Sequence, residues 1–122
     1  MKKTLAILVA GGAVATMALV AAPAAQAAAP PQCQAPKVAD RDKGRATMRG
    51  TFNLKAGPYA GPRCSTVGKA RKGQVLEFFC WVTNDYGTHW VFAHVKGTKK
   101  YGWMSIDNLR TFRDTNNVRE GC

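Results

Sequence analysis

Four cysteines constrain this chain more than any other feature: Cys33, Cys64, Cys80 and Cys122, no two of them closer than 16 positions. A structural zinc site draws its ligands in close pairs, and this spacing offers no such pair, so no metal site is expected. An even number of cysteines in a short exported chain reads instead as two disulfide bridges. Three pairings are possible in principle.

Export is the reading of the N-terminus. Lys2 and Lys3 form a positive start, and Leu5 to Val20 is an apolar run rich in Ala, Leu and Val. Pro23 and then Ala25-Gln26-Ala27 follow, the small-x-small pattern of a signal peptidase site. Residues 1–27 are therefore expected to be a signal peptide cleaved after Ala27. The uncharged stretch that begins at Thr4 is long enough to span a bilayer, but Pro23 and the cleavage site argue against a retained anchor. The residues before Cys33 lack the small pattern that precedes a lipidated cysteine. The expected product is secreted, extracellular or cell-wall associated, with no integral membrane association after cleavage.

Cleavage would leave 95 residues of the 122, enough for one domain. A body of that size buries only about 60% of its unfolded surface, so cross-links are its natural supplement. Without Lys2 and Lys3 the chain keeps 16 Lys and Arg against seven acids, a net charge of +9. Such an excess suits contact with polyanions such as wall polymers, acidic membrane surfaces or nucleic acid. It serves equally to keep a small exported protein in solution.

Along the rest of the chain, residues 28–49 hold Pro30, Pro31 and Pro36 and then a run of charges, with little apolar periodicity. They read as an extended arm. From Gly50 onward short apolar and aromatic runs alternate with Gly, Pro and Asn, the pattern of a compact all-β domain over 50–112, with 113–122 as a tail. Arg71-Lys72-Gly73 suits a three-residue hairpin loop with a left-handed Gly. Counting outward from Lys72 sets Cys64 opposite Cys80, close enough for a bridge. Cys33 would then pair with Cys122, clasping the two ends of the chain together.

Trp90 to Val95 alternates, with Val91, Ala93 and Val95 on one face and Trp90, Phe92 and His94 on the other. In the preceding strand Leu76, Phe78 and Cys80 share one face, and Val75, Glu77, Phe79 and Trp81 take the opposite one. Trp90, Phe92, Phe79 and Trp81 could thus make an outer aromatic surface. A bare patch of that kind is an aggregation hazard, so the arm and tail, clasped together, are expected to cover it as a second small core.

The segments Asn53-Leu54-Lys55-Ala56-Gly57-Pro58, Val67 to Leu76 around Lys72-Gly73, the strand opening at Trp90, and Tyr101-Gly102-Trp103 running on to Leu109 together resemble the bacterial SH3-like (SH3b) domains of exported and wall-associated proteins. The resemblance covers Gly50 to Phe112. It implies an all-β fold, a small SH3-like partly open barrel, here with disulfide-clasped N- and C-terminal extensions. It also implies a non-catalytic recognition module, often for peptidoglycan peptides, with a ligand groove that falls on Asn53, Tyr59, Trp90, Tyr101 and Trp103. Two departures stand out: Lys55 replaces the family's usual Arg, losing a planar bidentate donor, and Cys64 closes the loop that would frame the groove.

Catalysis is not expected. Cysteines in bridges supply no thiolate, His89 and His94 are five apart on a strand and point to opposite faces, and the acids are scattered. No cofactor is expected either. Lys69, Arg71 and Lys72 crowd one turn and Lys96, Lys99 and Lys100 the loop before Tyr101. They read as a solvated surface or as a basic surface for an anionic wall polymer. Nucleic acid is a weaker alternative because basic loops among aromatics also suit single strands. A secreted partner-binding protein, effector or inhibitor, is the third class, with the loop Asn84 to His89 as its contact. The expected state is a monomer.

Overall fold

A computed structural model of the chain describes residues 33–37 and 41–122; the expected signal peptide, 1–27, and residues 28–32 and 38–40 of the arm lie outside the described residues. The fold is all-β. Its strands are β1 (Arg45–Met48), β2 (Phe52–Lys55), β3 (Thr66–Ala70), β4 (Val75–Thr83), β5 (His89–Val95), β6 (Tyr101–Ser105), β7 (Leu109–Arg113) and β8 (Arg119–Glu120). They form one sheet in the order β3-β2-β6-β5-β4-β1-β7, with β8 added alongside β4. Neighbours on that path are antiparallel, and β8 joins β4 in parallel. The sheet does not close on itself: β3 and β7 are its two ends. It nevertheless curls, because Met48, Leu54, Ala70, Leu76, Val91, Met104 and Leu109, drawn from seven strands, meet in a single buried cluster.

Residues 45–48, expected within the arm, form a strand inside the sheet. Their side chains alternate in burial, with Ala46 and Met48 inside. Four residues are too few for periodicity to stand out in a charged context, and the strand owes its place to β4. That strand is nine residues long and buried or half-buried along nearly all its length, so it must hydrogen-bond on both edges.

The same demand overturns the expected hairpin. β3 pairs with β2 and not with β4. Gly73 is left-handed as expected (φ +89°), but the turn it closes passes the chain from an exposed edge strand to the middle of the sheet. The Gly73 N–H donates to the Met48 carbonyl at 3.0 Å, tying the turn to β1.

The disulfide pairing changes accordingly. The bridges are Cys33–Cys64 and Cys80–Cys122, not Cys64–Cys80 and Cys33–Cys122. A bulge in β4 supplies the second reason. Phe78 lies opposite Ala93 and Cys80 opposite Phe92, so Phe79 is an extra residue, and a bulge of this kind shifts the alternation by one. Upstream, Leu76 and Phe78 face the main core. Downstream, Cys80 and Val82 face the outer side, while Trp81 turns inward against the main core. Cys80 therefore points away from Leu76 and Phe78, toward the tail that carries Cys122.

On the outer side Phe79, Cys80, Val82, Trp90, Phe92 and Trp103 form the expected second core, without Trp81. Phe92 touches Phe79 and Trp103, each with ring centroids 5.5 Å apart. Arm and tail both reach it, but each is bridged separately to the body and they are not clasped to each other. Gly102 lets β2 cross β6 closely: a Cβ at this position would lie 2.9 Å from the Leu54 Cβ.

Candidate functional site

Two surfaces come from the candidate residues. The first is a groove between β2, the loop after it, and the start of β5. Asn53 and Trp90 line its narrow end, about 320 Å³, with Phe52, Lys55 and Asn108. Phe52, Trp90 and Asn108 continue into a wider part of about 630 Å³ bordered by Tyr86 and Asp107. Lys55 does not project from the groove as a free cation. Its Nζ donates to the Gly61 carbonyl at 2.9 Å and to Thr66 Oγ1 at 3.3 Å, holding the loop's 3-10 turn (Gly61–Arg63) against β3.

The groove's far wall is the loop between β4 and β5, and one side chain shapes it. Asn84 is buried; its Oδ1 accepts from the Tyr86 N–H (3.0 Å), the Thr88 N–H (3.1 Å) and the Thr88 hydroxyl (2.8 Å). Its Nδ2 donates to the Pro58 carbonyl at 2.7 Å, joining the two loops. An Asn that replaces backbone bonds in this way fixes a turn. The result is a rigid platform on which Tyr86 stands 73% exposed. Beneath it Arg63 lies over the Tyr59 ring, 3.8 Å from the centroid, and pairs with Asp85 at 3.3 Å. Desolvation raises the Asp85 pKa, but the Tyr59 hydroxyl and Arg63 outweigh it and hold the carboxyl below its ordinary value. Burial, reinforced by Asp85, pushes the Tyr59 phenol above its ordinary value.

The five groove residues inferred from the family resemblance therefore separate. Asn53 and Trp90 meet in the groove, although Trp90 is only 4% exposed and shows little more than an edge; its indole N–H is spent on Thr88 Oγ1 at 3.1 Å. Tyr59 is buried under the loop as a support for Arg63. Trp103 is 1% exposed and belongs to the outer core. Tyr101 lies on the same outer side, packed against His94 with 4.7 Å between ring centroids and the rings tilted by 39°, away from the groove. Trp90 and Trp103 share a face because Phe92 opposes Trp103 across β5 and β6, so Trp90 is a core residue like Trp103 and not the free groove tryptophan expected at its position. Phe52 and Asn108 line the groove and were missed. Phe52 neighbours Asn53 on a strand whose first two residues are both exposed, a pattern that alternation does not reveal.

The second surface is the end of the sheet where the turn before β4 meets the loop after β5. Leu76 opposes Val95, and the Lys96 N–H donates to the Val75 carbonyl at 2.9 Å. The two basic loops therefore lie side by side. Lys100 reaches β3, its Nζ donating to the Lys69 carbonyl at 3.4 Å. Lys69, Arg71, Lys72, Lys96, Lys99 and Lys100 are all exposed. Among the described residues the ion pairs are Arg41–Glu77, Arg45–Asp114, Arg63–Asp85 and the His94–Glu77 contact, none involving these six.

All four cysteines are bridged, which suits an oxidising compartment. Among the described residues no helix is long and apolar enough to cross a membrane. His89 packs on Trp81, at 5.5 Å, and His94 on Tyr101, on opposite sides of the sheet as expected. No protein-family model, curated protein or solved structure matches this chain.

Proposed function

We propose that this chain is an exported, non-catalytic binding module that attaches to an anionic polymer of the cell wall through the basic end of its sheet. The observation that carries the reading is the gathering of six exposed cations from two loops and an edge strand, none in an ion pair among the described residues. Like charges held side by side repel in the free protein, and a polyanion relieves that repulsion while releasing its own counterions. The two disulfides and the signal-peptide pattern support a destination outside the cytoplasm, where wall polymers are the abundant polyanions and nucleic acid is not.

A second reading rests on Tyr86. A tyrosine 73% exposed on a platform fixed by Asn84, beside a groove that also shows Phe52 at 38%, has the make-up of a protein-binding patch. Retention on purified wall sacculi, with and without their anionic polymers, separates the two. Under the first reading retention needs the polymers, falls steeply between low and high salt, and is weakened by changing Lys96, Lys99 and Lys100 to Gln. Exposed charges are screened beyond about 10 Å at 0.1 M salt. Retention that ignores salt and these lysines rejects the basic end. Absence of retention leaves the Tyr86 surface and a protein partner.

A further inference from the structure

The outer face of the sheet carries a row of side chains that neither reading above uses. Tyr101 opposes His94, His94 opposes Glu77, and Glu77 opposes Arg45, so four strands contribute one line of residues. Residues 41–44 run on beside β4, the Asp42 N–H donating to the Phe78 carbonyl and the Phe78 N–H to the Gly44 carbonyl, each at 2.9 Å, and their side chains border with Arg45, Glu77, Phe79 and Tyr101 a cleft of about 820 Å³, larger than either part of the groove. That volume is within the range of small-molecule sites, about 300–1,000 Å³.

The cleft is electrically balanced, in contrast to the basic end. Among the described residues its cations are Arg41, Lys43 and Arg45, and its carboxylates are Asp42, Glu77 and Asp114. Arg41 pairs with Glu77 at 2.6 Å and Arg45 with Asp114 at 3.1 Å. Asp42 accepts the Arg119 N–H at 3.0 Å. With opposite charges matched, a phosphate or carboxylate ligand finds no surplus field there. The pairs still leave N–H groups and lone pairs unused, since a guanidinium has five N–H donors and a carboxylate about four acceptor sites. Groups that donate and accept side by side suit hydroxyls, which do both.

One wall of the cleft is aromatic. Phe79 lines its floor, and Tyr101 stands 49% exposed at its edge. Tyr101 is held by neighbours: the His94 ring at 4.7 Å, Phe79 at 5.9 Å and a stacked Phe92 at 6.5 Å. His94 is itself fixed, its ring nitrogens within 2.9 Å of Glu77 Oε1 and 2.5 Å of the Thr98 carbonyl. A half-exposed ring that cannot swing away is a stacking platform, prepared before any ligand arrives.

We infer that this cleft binds an uncharged oligosaccharide, one sugar ring stacking its C–H face on Tyr101 while its hydroxyls bridge the Arg41–Glu77 and Arg45–Asp114 pairs. A saccharide combines an apolar face with a polar rim in the way the cleft combines an aromatic wall with paired ions. This site is separate from the basic end and does not depend on it.

The test titrates the protein with chitotriose, cellotriose and maltotriose while recording amide chemical shifts. At least one trisaccharide should bind, with shifts centred on Tyr101, His94 and residues 41–45. Tyr101→Ala should weaken binding about five- to tenfold with its melting temperature little changed, and Tyr101→Trp should preserve it. High salt and the triple Lys96, Lys99 and Lys100 to Gln variant should leave it unaltered. Failure of all three sugars at millimolar concentration overturns the inference. So do shifts that map to the groove or the basic end, or undiminished binding by a folded Tyr101→Ala variant. The shift map on the unmodified protein decides the matter even if Tyr101→Ala does not fold.

Discussion

The indole N–H of Trp103 donates to the backbone carbonyl of Gln34 at 2.9 Å, joining β6 to a segment 69 positions earlier in the chain. Cys33, the neighbour of Gln34, is bridged to Cys64. Covalent bond and hydrogen bond together hold the arm over the outer core.

Trp103→Ala should therefore cost about 3–5 kcal/mol, the usual loss for a buried Trp. Trp103→Phe should cost less, losing mainly volume and a hydrogen bond worth about 0.5–1.5 kcal/mol. Trp90→Ala should also destabilise by several kcal/mol, because Trp90 belongs to the same core. Denaturant unfolding of the three variants provides the comparison, and a neutral Trp90→Ala would place that ring on the surface after all.

Non-reducing peptide mapping should link Cys33 with Cys64 and Cys80 with Cys122. Replacing either pair by Ser should lower stability by about 4 kcal/mol in the chain-entropy model, since the bridged residues are 31 and 42 positions apart. Loss of Cys33–Cys64 should in addition raise the fraction of tryptophan emission that a soluble quencher removes, because the arm is no longer fastened over Trp103.

Gly102→Ala should destabilise the fold by about 1–3 kcal/mol. The added methyl would meet the Leu54 Cβ at 2.9 Å and Val67 Cγ2 at 3.2 Å. Combining it with Val67→Ala should recover only part of the loss, since the Leu54 contact involves an atom next to the backbone.

Acid should loosen the loop beneath Tyr86. The Asp85 carboxyl sits below its ordinary value in the folded protein. Its contribution is thus fully present above the unfolded-state pKa and is lost as pH falls through the folded one. Asp85→Asn should remove that acid-side dependence and leave neutral-pH stability little changed, as suits an exposed pair. Unfolding curves for both proteins across the carboxylate range give the measurement, and parallel pH profiles would count against the account.

The all-β character was legible because β5 alternates cleanly and β4 is rich in aromatic and branched residues. The covered outer core was legible from the hazard of leaving Phe79, Trp90 and Phe92 bare. The bridges were not, because they follow from two non-local facts: β4 takes β1 as its neighbour instead of β3, and Phe79 breaks the period within β4. A bulge leaves no compositional mark in Phe78-Phe79-Cys80. The groove was legible at Asn53 and Trp90 only. Tyr59, Tyr101 and Trp103 depend on how loops and arm are laid over the sheet, which local pattern does not encode.

The extra residue at Phe79 makes β4 tolerant of exchange and, at that one position, of a change in length. Side chains on either half can be swapped for others of similar size, because each half keeps its own facing. Deleting Phe79 would leave Phe78 opposite Ala93 and Cys80 opposite Phe92 in a regular strand, so that Cys80 and Val82 stay outward, Trp81 stays inward and Cys122 keeps its partner, at the cost of one ring of the second core. The tail and its parallel strand hang on the outward facing of Cys80, not on the ring that precedes it.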